Sequence, residues 1–318
     1  MVSRFIGIGK KFLAIIAIGI LLTLTDVKQF WTVVAKIHAS QLIGLCFISF
    51  ILLYISVLKW RTLLAIFGSA PSVIRLLSLY LLGYFCNTLL PSHVGGDVVR
   101  TLAVSNDGAG YKASFLSTIF ERFSGLVAMV ALAILSLIFV GELPTGVTYA
   151  VLVIAFIICL ILILCTAPVR SRIILLVDTL SWLPPVISSN TKLLLKEMAI
   201  ITDNKSVLVR IMLLSFLFHA FSAINTLVAA WAVGWTTVSL PMLFGVLPLI
   251  LLVGAMPLTP SGIGIQEGAF VYFLGLIGAT TEEALSIALV LRAKVLFLAL
   301  LGGVVWFLQR PKLAQKIT

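Results

Sequence analysis

"LLPSHVGGDVVR" (residues 89–100) interrupts a chain that is otherwise mostly apolar. A proline, two glycines, an aspartate and an arginine fall where composition would otherwise give a continuous membrane helix. In hydrocarbon, an unpaired backbone N–H or C=O has no water to turn to. Broken helix therefore survives at membrane depth only where it is buried in protein or lines a wet cavity. Whether this stretch is a surface loop or a break inside the membrane decides the fold.

A second stretch poses the same question. "PLTPSGIGIQEG" (257–268) also carries Pro-Ser, then two glycines, then an acid, and the spacing differs from the first by one residue. In the first break Pro91 stops one helix and Gly95-Gly96 lets the backbone turn tightly. Asp97 then falls at the start of a short helix, where its charge suits the positive end of the dipole, with Arg100 one turn on. In the second break Pro257 and Pro260 end a helix, and Gly262 and Gly264 allow close backbone approach. Glu267 follows in the first turns of a new apolar helix. An ordinary solvated loop with a capping acid would carry the same residue types.

Composition favours the membrane reading. Of 318 residues 61% are hydrophobic and only 10% charged, and the mean hydropathy is +1.23. The formal net charge of +11 comes from 22 Lys and Arg against 11 Asp and Glu. Those charges are scattered in short loops between apolar runs, which fits orientation by the positive-inside rule rather than nucleic-acid binding. The four cysteines lie in apolar segments without metal-ligand spacing and read as small hydrophobes.

A full span needs about 20 apolar residues. Candidates lie near 12–25, 41–58, 115–140, 148–167, 207–233 and 284–308. The run at 12–25 lacks a small-residue cleavage site and reads as a retained helix. Basic clusters mark the cytoplasmic side: the N-terminus, then Lys59, Arg61 and Arg75, then 170–210, then Arg310, Lys312 and Lys316. Counting crossings between these clusters makes the broken regions at about 73–105 and 240–278 enter and return from opposite faces. The expectation is an all-α integral membrane protein. It has about six full spanning helices and two broken, re-entrant helical hairpins in an inverted repeat. Residues 1–318 form one polytopic membrane domain, with halves at about 41–140 and 207–308. A span at 148–167 and an amphipathic cytoplasmic interfacial segment at 170–205 link them.

Charge at such depth needs a partner, since a carboxylate at the bilayer centre costs on the order of 3 kcal/mol. Glu121 and Arg122 are adjacent on a crossing helix, so they point apart and cannot simply pair with each other. One network these charges allow is Arg122 with Asp97 and Glu121 with Arg100. Arg292 lies too deep in the last span for comfort in lipid, and can answer Glu267 across the repeat interface or bind a phosphate. Snorkelling to the interface is the plain alternative for each. His93, His219, Asn87 and Asn225 read as structural hydrogen-bonders. No nucleophile–base set, P-loop or dinucleotide fingerprint is present.

At these residues the sequence resembles the lysylphosphatidylglycerol synthase transmembrane-region family. The resemblance rests on N-x-x-x-P-x-x-x-G-G-D-x-x-R (Asn87 to Arg100), E-R-x-x-G (Glu121 to Gly125) and P-x-x-P-x-G-I-G-x-x-E-G (Pro257 to Gly268). It implies a flippase-like protein moving a charged or polyprenyl-linked lipid between leaflets of the plasma (inner) membrane, with both termini cytoplasmic. It favours Asp97, Arg100, Glu121, Arg122 and Glu267 as site residues. Bifunctional members carry an aminoacyl-transferase domain after the membrane part. This chain ends at Thr318, so a stand-alone member that does not make aminoacylated lipid by itself is expected. Ser261 stands where the family often has Gly, a small-for-small change expected to be tolerated.

The expected partners are a membrane phospholipid or polyprenyl-phosphate lipid, with cell-envelope biosynthesis enzymes as possible neighbours, and no nucleic acid. Neither a cofactor nor a metal is expected, nor catalysis. Two rival readings use the same residues. A membrane-embedded lipid or glycosyl transferase would use Asp97 and Glu267 as base or metal ligands and would turn over a labelled donor. A non-catalytic partner of an envelope synthase would tolerate loss of both acids but not of the surface of 170–200.

Overall fold

Two passes through one order of helices build the protein. A computed structural model describes residues 37–69, 71–89, 95–140, 143–164, 166–179, 184–256 and 258–314, with a few positions between 28 and 35. The predicted span at 12–25, and Pro91, His93 and Pro257, lie outside the described residues. The first pass is α1 (Ala39–Ile66), α2 (Val73–Leu89), α3 (Gly95–Val104), a π-helical turn at Ser105–Ala109, and α4 (Tyr111–Val140). Then come α5 (Thr145–Leu164), α6 (Ala167–Thr179) and α7 (Pro185–Thr202). The second pass is α8 (Lys205–Ala232), α9 (Leu240–Ala255), a 3-10 turn at Pro260–Gly262, α10 (Ile265–Gly275) and α11 (Thr281–Ala314). Each pass reads long helix, shorter helix, break, short helix, long helix. No strand occurs among the described residues.

Local signals set the ends. Asn204 caps α8, its Oδ1 accepting from Val207 N at 3.3 Å. Thr280 and Glu283 form a reciprocal box at the start of α11, each side chain taking the other's backbone N–H. Gly68, at φ 79°, turns the chain out of α1.

Among the described residues five helices are long and apolar enough to cross a membrane: Ala39–Ile66, Tyr111–Phe139, Thr145–Leu164, Lys205–Ala232 and Thr281–Leu308. Their outward faces are covered with large apolar side chains such as Phe47, Phe139, Phe156 and Leu300, as lipid contact requires. Two apolar helices are shorter, Val73–Thr88 and Leu240–Ala255. At 1.5 Å per residue these reach only about 25 Å, short of the hydrocarbon thickness.

The buried core gives the directions. One cluster gathers Leu45 of α1, Ala133 of α4, Ala223 to Val233 from α8 and its C-terminal end, Leu243 to Ile250 of α9, Ala269 to Leu274 of α10, and Ala284 to Ala288 of α11. Another gathers Leu53 to Leu64 of α1, Leu76 to Leu82 of α2, Ala103 and Val104 of α3, and Leu298 of α11. A third packs Leu63, Phe120, Ile201 and Ile211 together. Thus α1 and α11 run from the first cluster toward the second, whereas α4 and α8 run toward the first. The two passes have opposite senses. The pair α2–α3 starts and finishes in one cluster, and α9–α10 in the other.

Close helix approach depends on glycine at two places. A Cβ on Gly302 of α11 would stand 1.9 Å from the carbonyl oxygen of Leu81 on α2, and one on Gly96 of α3 would stand 2.2 Å from that of Gly83. The segment expected to be interfacial forms two helices, α6 and α7, broken before Pro185. They are tied by Arg170, which donates to Thr202 Oγ1 at 2.8 Å and to both oxygens of Asp203. Lys59 needs correction: it belongs to no loop. The apolar run does not end near residue 58 but continues as helix to Ile66, and Lys59 is buried inside the fold.

Candidate translocation site

The two breaks meet at Asn87, near the C-terminal end of α2. Its side-chain Oδ1 accepts from Gly96 N at 2.6 Å, which ties down the first turn of α3. Its backbone oxygen accepts from Ser261 Oγ at 2.7 Å, which ties in the second break. The sequence reads Asn87 as an interhelical hydrogen-bonder; only the fold shows that it joins the two motifs.

Around this junction the charges pair closely. Asp97 accepts a two-pronged contact from Arg122, Nε to Oδ2 at 2.9 Å and Nη2 to Oδ1 at 2.7 Å, the strong geometry for a guanidinium and a carboxylate. Arg100 Nε also donates to Asp97 Oδ1 at 3.1 Å. Behind this, Arg100 Nη2 lies 2.7 Å from Glu121 Oε2. That contact is electrostatic, since neither atom completes a hydrogen bond there. The network grades from exposed to buried: the Arg122 side chain is 62% exposed and Asp97 16%, while Glu121 is 5% and Arg100 1%.

Two aromatic residues complete the Arg100 pocket. Its guanidinium carbon sits 4.7 Å from the Trp60 ring centroid and 4.4 Å from that of Tyr80, so cation–π attraction replaces part of the lost hydration. Tyr80 is fixed by donating to Ser56 O at 3.2 Å. Arg100 Nη1 and Trp60 Nε1 are buried donors with no acceptor among the described residues. Neither Trp60 nor Tyr80 was legible as a site residue, because an aromatic residue in an apolar helix looks the same whether it faces lipid or a cation.

The second break is built differently. Ser261, Gly262 and Gly264 all have positive φ, at 52°, 64° and 81°. Gly264 N donates to Glu267 Oε2 at 2.7 Å, so this carboxylate caps its own helix. Its other oxygen pairs with Arg292 Nε. Arg292 also reaches Ser261 O at 3.2 Å, Gly262 O at 3.4 Å and Gln266 Oε1 at 3.3 Å. One guanidinium thus closes over the carbonyls that the break exposes. This pair lies within the second pass, not across the interface between passes as the sequence suggested.

Both acids stand 25 residues before their arginine, Asp97 before Arg122 and Glu267 before Arg292. That equal spacing was present in the sequence and would have assigned both pairs. The intervals from Gly95 to Ile265 and from Tyr111 to Thr281 are the same. At this interval Arg100 and Glu121 correspond to Phe270 and Leu291. The second pass fills with apolar side chains what the first fills with a buried ion pair.

Ser261 is the only non-glycine residue with positive φ among those described. Such a conformation costs about 1–3 kcal/mol, and the Oγ bond to Asn87 returns about 1 kcal/mol. Ser261→Gly is therefore expected to change stability by less than about 1 kcal/mol, whereas Ser261→Val, which keeps the strain and loses the bond, costs about 2–3 kcal/mol. Thermal unfolding of the purified protein checks both.

A search of curated proteins finds no match. The profile of the lysylphosphatidylglycerol synthase TM region matches residues 11–303, most of the chain, so this multi-pass membrane protein belongs to the lysylphosphatidylglycerol synthase transmembrane-region family.

Proposed function

We propose that the protein moves a charged or polyprenyl-linked lipid between the leaflets of the plasma membrane, in the manner of a flippase and without making or breaking a covalent bond in it. The observation that carries this reading is the meeting of two broken helices at Asn87, with ion pairs grading inward from it. In this reading α2–α3 enters from the cytoplasmic face and α9–α10 from the outer face, and both termini are cytoplasmic. A headgroup first meets Arg122 and Asp97 while its tails stay in lipid. Deeper in, Arg100 Nη1 and Trp60 Nε1 offer donors that no described residue uses. Replacement hydrogen bonds of this kind lower the barrier to carrying a polar group through hydrocarbon.

The test is reconstitution with fluorescent phospholipids and fluorescent polyprenyl phosphates, following the fraction that dithionite can bleach. Acceleration over empty vesicles is expected for at least one of them. A rate equal to that of empty vesicles for every lipid would refute the proposal. Asp97→Asn and Arg122→Gln should each slow transport at least about tenfold, equivalent to about 1.4 kcal/mol of barrier. The unfolding temperature of Arg122→Gln should barely move, because an ion pair to so exposed a side chain contributes about 0–1 kcal/mol, whereas Asp97→Asn also takes a counter-charge from the buried Arg100 and should lower it.

A further inference from the structure

Lys59 is 4% exposed, and among the described residues it belongs to no ion pair. A buried ammonium without a carboxylate is costly, and such residues persist where the cost serves a purpose. Its Nζ lies 5.7 Å from the Phe218 ring centroid. It also crowds Gly125: a methyl there would come within 3.6 Å of Lys59 Nζ and 3.4 Å of His219 Nε2. The glycine of the E-R-x-x-G motif is thus the point where a lysine from α1 and a histidine from α8 converge.

The groups facing Lys59 are Glu121 and Arg122 of α4, Arg100 of α3 and His219 of α8, with Tyr80 of α2 anchored one turn away at Ser56. Glu121 is the acid among them, and Arg100 holds it at 2.7 Å. Two hydroxyls tie the main chain of Glu121 to α8. Ser124 Oγ donates to Glu121 O at 3.1 Å, and Ser215 Oγ donates to Ser124 Oγ at 3.2 Å. Ser215 lies one turn before His219 on α8. His219 in turn lines a narrow groove between α4, α8 and α9 with Met129, Ser222, Phe244 and Pro248.

We propose that Lys59 is a proton-binding site, and that a proton passing through Lys59 and His219 drives lipid movement. This rests on the translocation reading above. A headgroup that enters past the exposed Arg122 and occupies Arg100 frees Glu121 to turn to Lys59. The neutral Lys59 amine then takes a proton from hydronium that enters with the headgroup, an O–H bond breaking as the N–H bond forms, and holds it as ammonium. When Glu121 returns to Arg100, an N–H bond breaks at Lys59 Nζ and one forms at His219 Nε2. The imidazolium then releases that proton to water in the groove. One positive charge moves and every group returns to its starting state.

The full-length protein in vesicles, with fluorescent phosphatidylglycerol as probe and the membrane potential clamped, tests this. For one proton per lipid, a gradient of one pH unit should shift the steady-state leaflet ratio about tenfold. Lys59→Met, a neutral replacement of similar length that removes the buried charge, should keep gradient-free transport and lose the gradient response. Lys59→Arg, which cannot release its proton, should lose the response too. The failures read differently. Absence of any transport, with or without a gradient, overturns translocation and this inference with it. Transport whose leaflet ratio ignores the gradient, or a response that survives in both variants, overturns proton coupling alone.

Discussion

Glu121→Ala is expected to destabilise the protein by about 3–5 kcal/mol and to abolish transport, because it leaves a buried guanidinium without its main counter-charge. Arg100 is 1% exposed and would retain Asp97 as its one carboxylate partner among the described residues, beside the Trp60 and Tyr80 rings. The informative partner is the double variant Arg100→Phe with Glu121→Leu. It installs the residues that the second pass already carries at the matching positions, Phe270 and Leu291. Replacing a buried ion pair by apolar groups of similar volume is commonly neutral or stabilising, and a phenyl ring suits a pocket walled by Trp60 and Tyr80. The double variant should therefore regain stability to within about 2 kcal/mol of the parent, yet move no lipid. Unfolding in lipid nanodiscs and the dithionite assay measure the two quantities separately. Full transport by the double variant would reduce the pair to a structural element and remove the core of the proposed site.

Gly302→Ala should be nearly as damaging, for a reason that has nothing to do with charge. The added carbon would meet the Leu81 carbonyl at 1.9 Å. That atom is backbone in a packed helix and cannot rotate away, so α2 and α11 must separate along their contact. Overpacking costs typically 1–3 kcal/mol and occasionally more, and a clash with main chain belongs at the top of that range, about 3 kcal/mol. The neighbouring Gly303→Ala would meet only the Phe85 ring, at 3.1 Å, and a ring can shift, so a loss below about 1 kcal/mol is expected. Gly268→Ala meets nothing within 4 Å and should stabilise α10 by about 0.5–1 kcal/mol through helix propensity alone. The order Gly302, then Gly303, then Gly268 in unfolding temperature checks the geometry of this contact.

Much of this architecture could be read from residue order. Apolar length located the long helices, because about 20 residues are needed whatever the fold. The breaks announced themselves by proline and glycine inside otherwise apolar runs, a pattern that a solvated loop shares. The pairs Asp97–Arg122 and Arg100–Glu121 followed from the cost of leaving any of the four alone in an apolar setting. Lys59 was misplaced because Arg61 stands two residues on, and a charge-counting rule treats both as loop residues. On a helix those two point to different sides, and Arg61 is exposed while Lys59 is buried. Nothing in the one-dimensional pattern tells them apart. The Arg100 pocket stayed hidden for a related reason. Trp60 and Tyr80 come from different helices, and only packing reveals which aromatic residues turn inward.

Asn87 holds its two neighbours by different means, and that difference has a mechanical consequence. Gly96 is gripped by the amide of Asn87, which lets go when that side chain rotates. Ser261 grips the main chain of Asn87 and lets go when its own hydroxyl turns. Each catch is released by one rotamer change, a motion that needs no unwinding of either helix. The α2–α3 break can therefore loosen while the second break stays latched, as the proposed translocation would use.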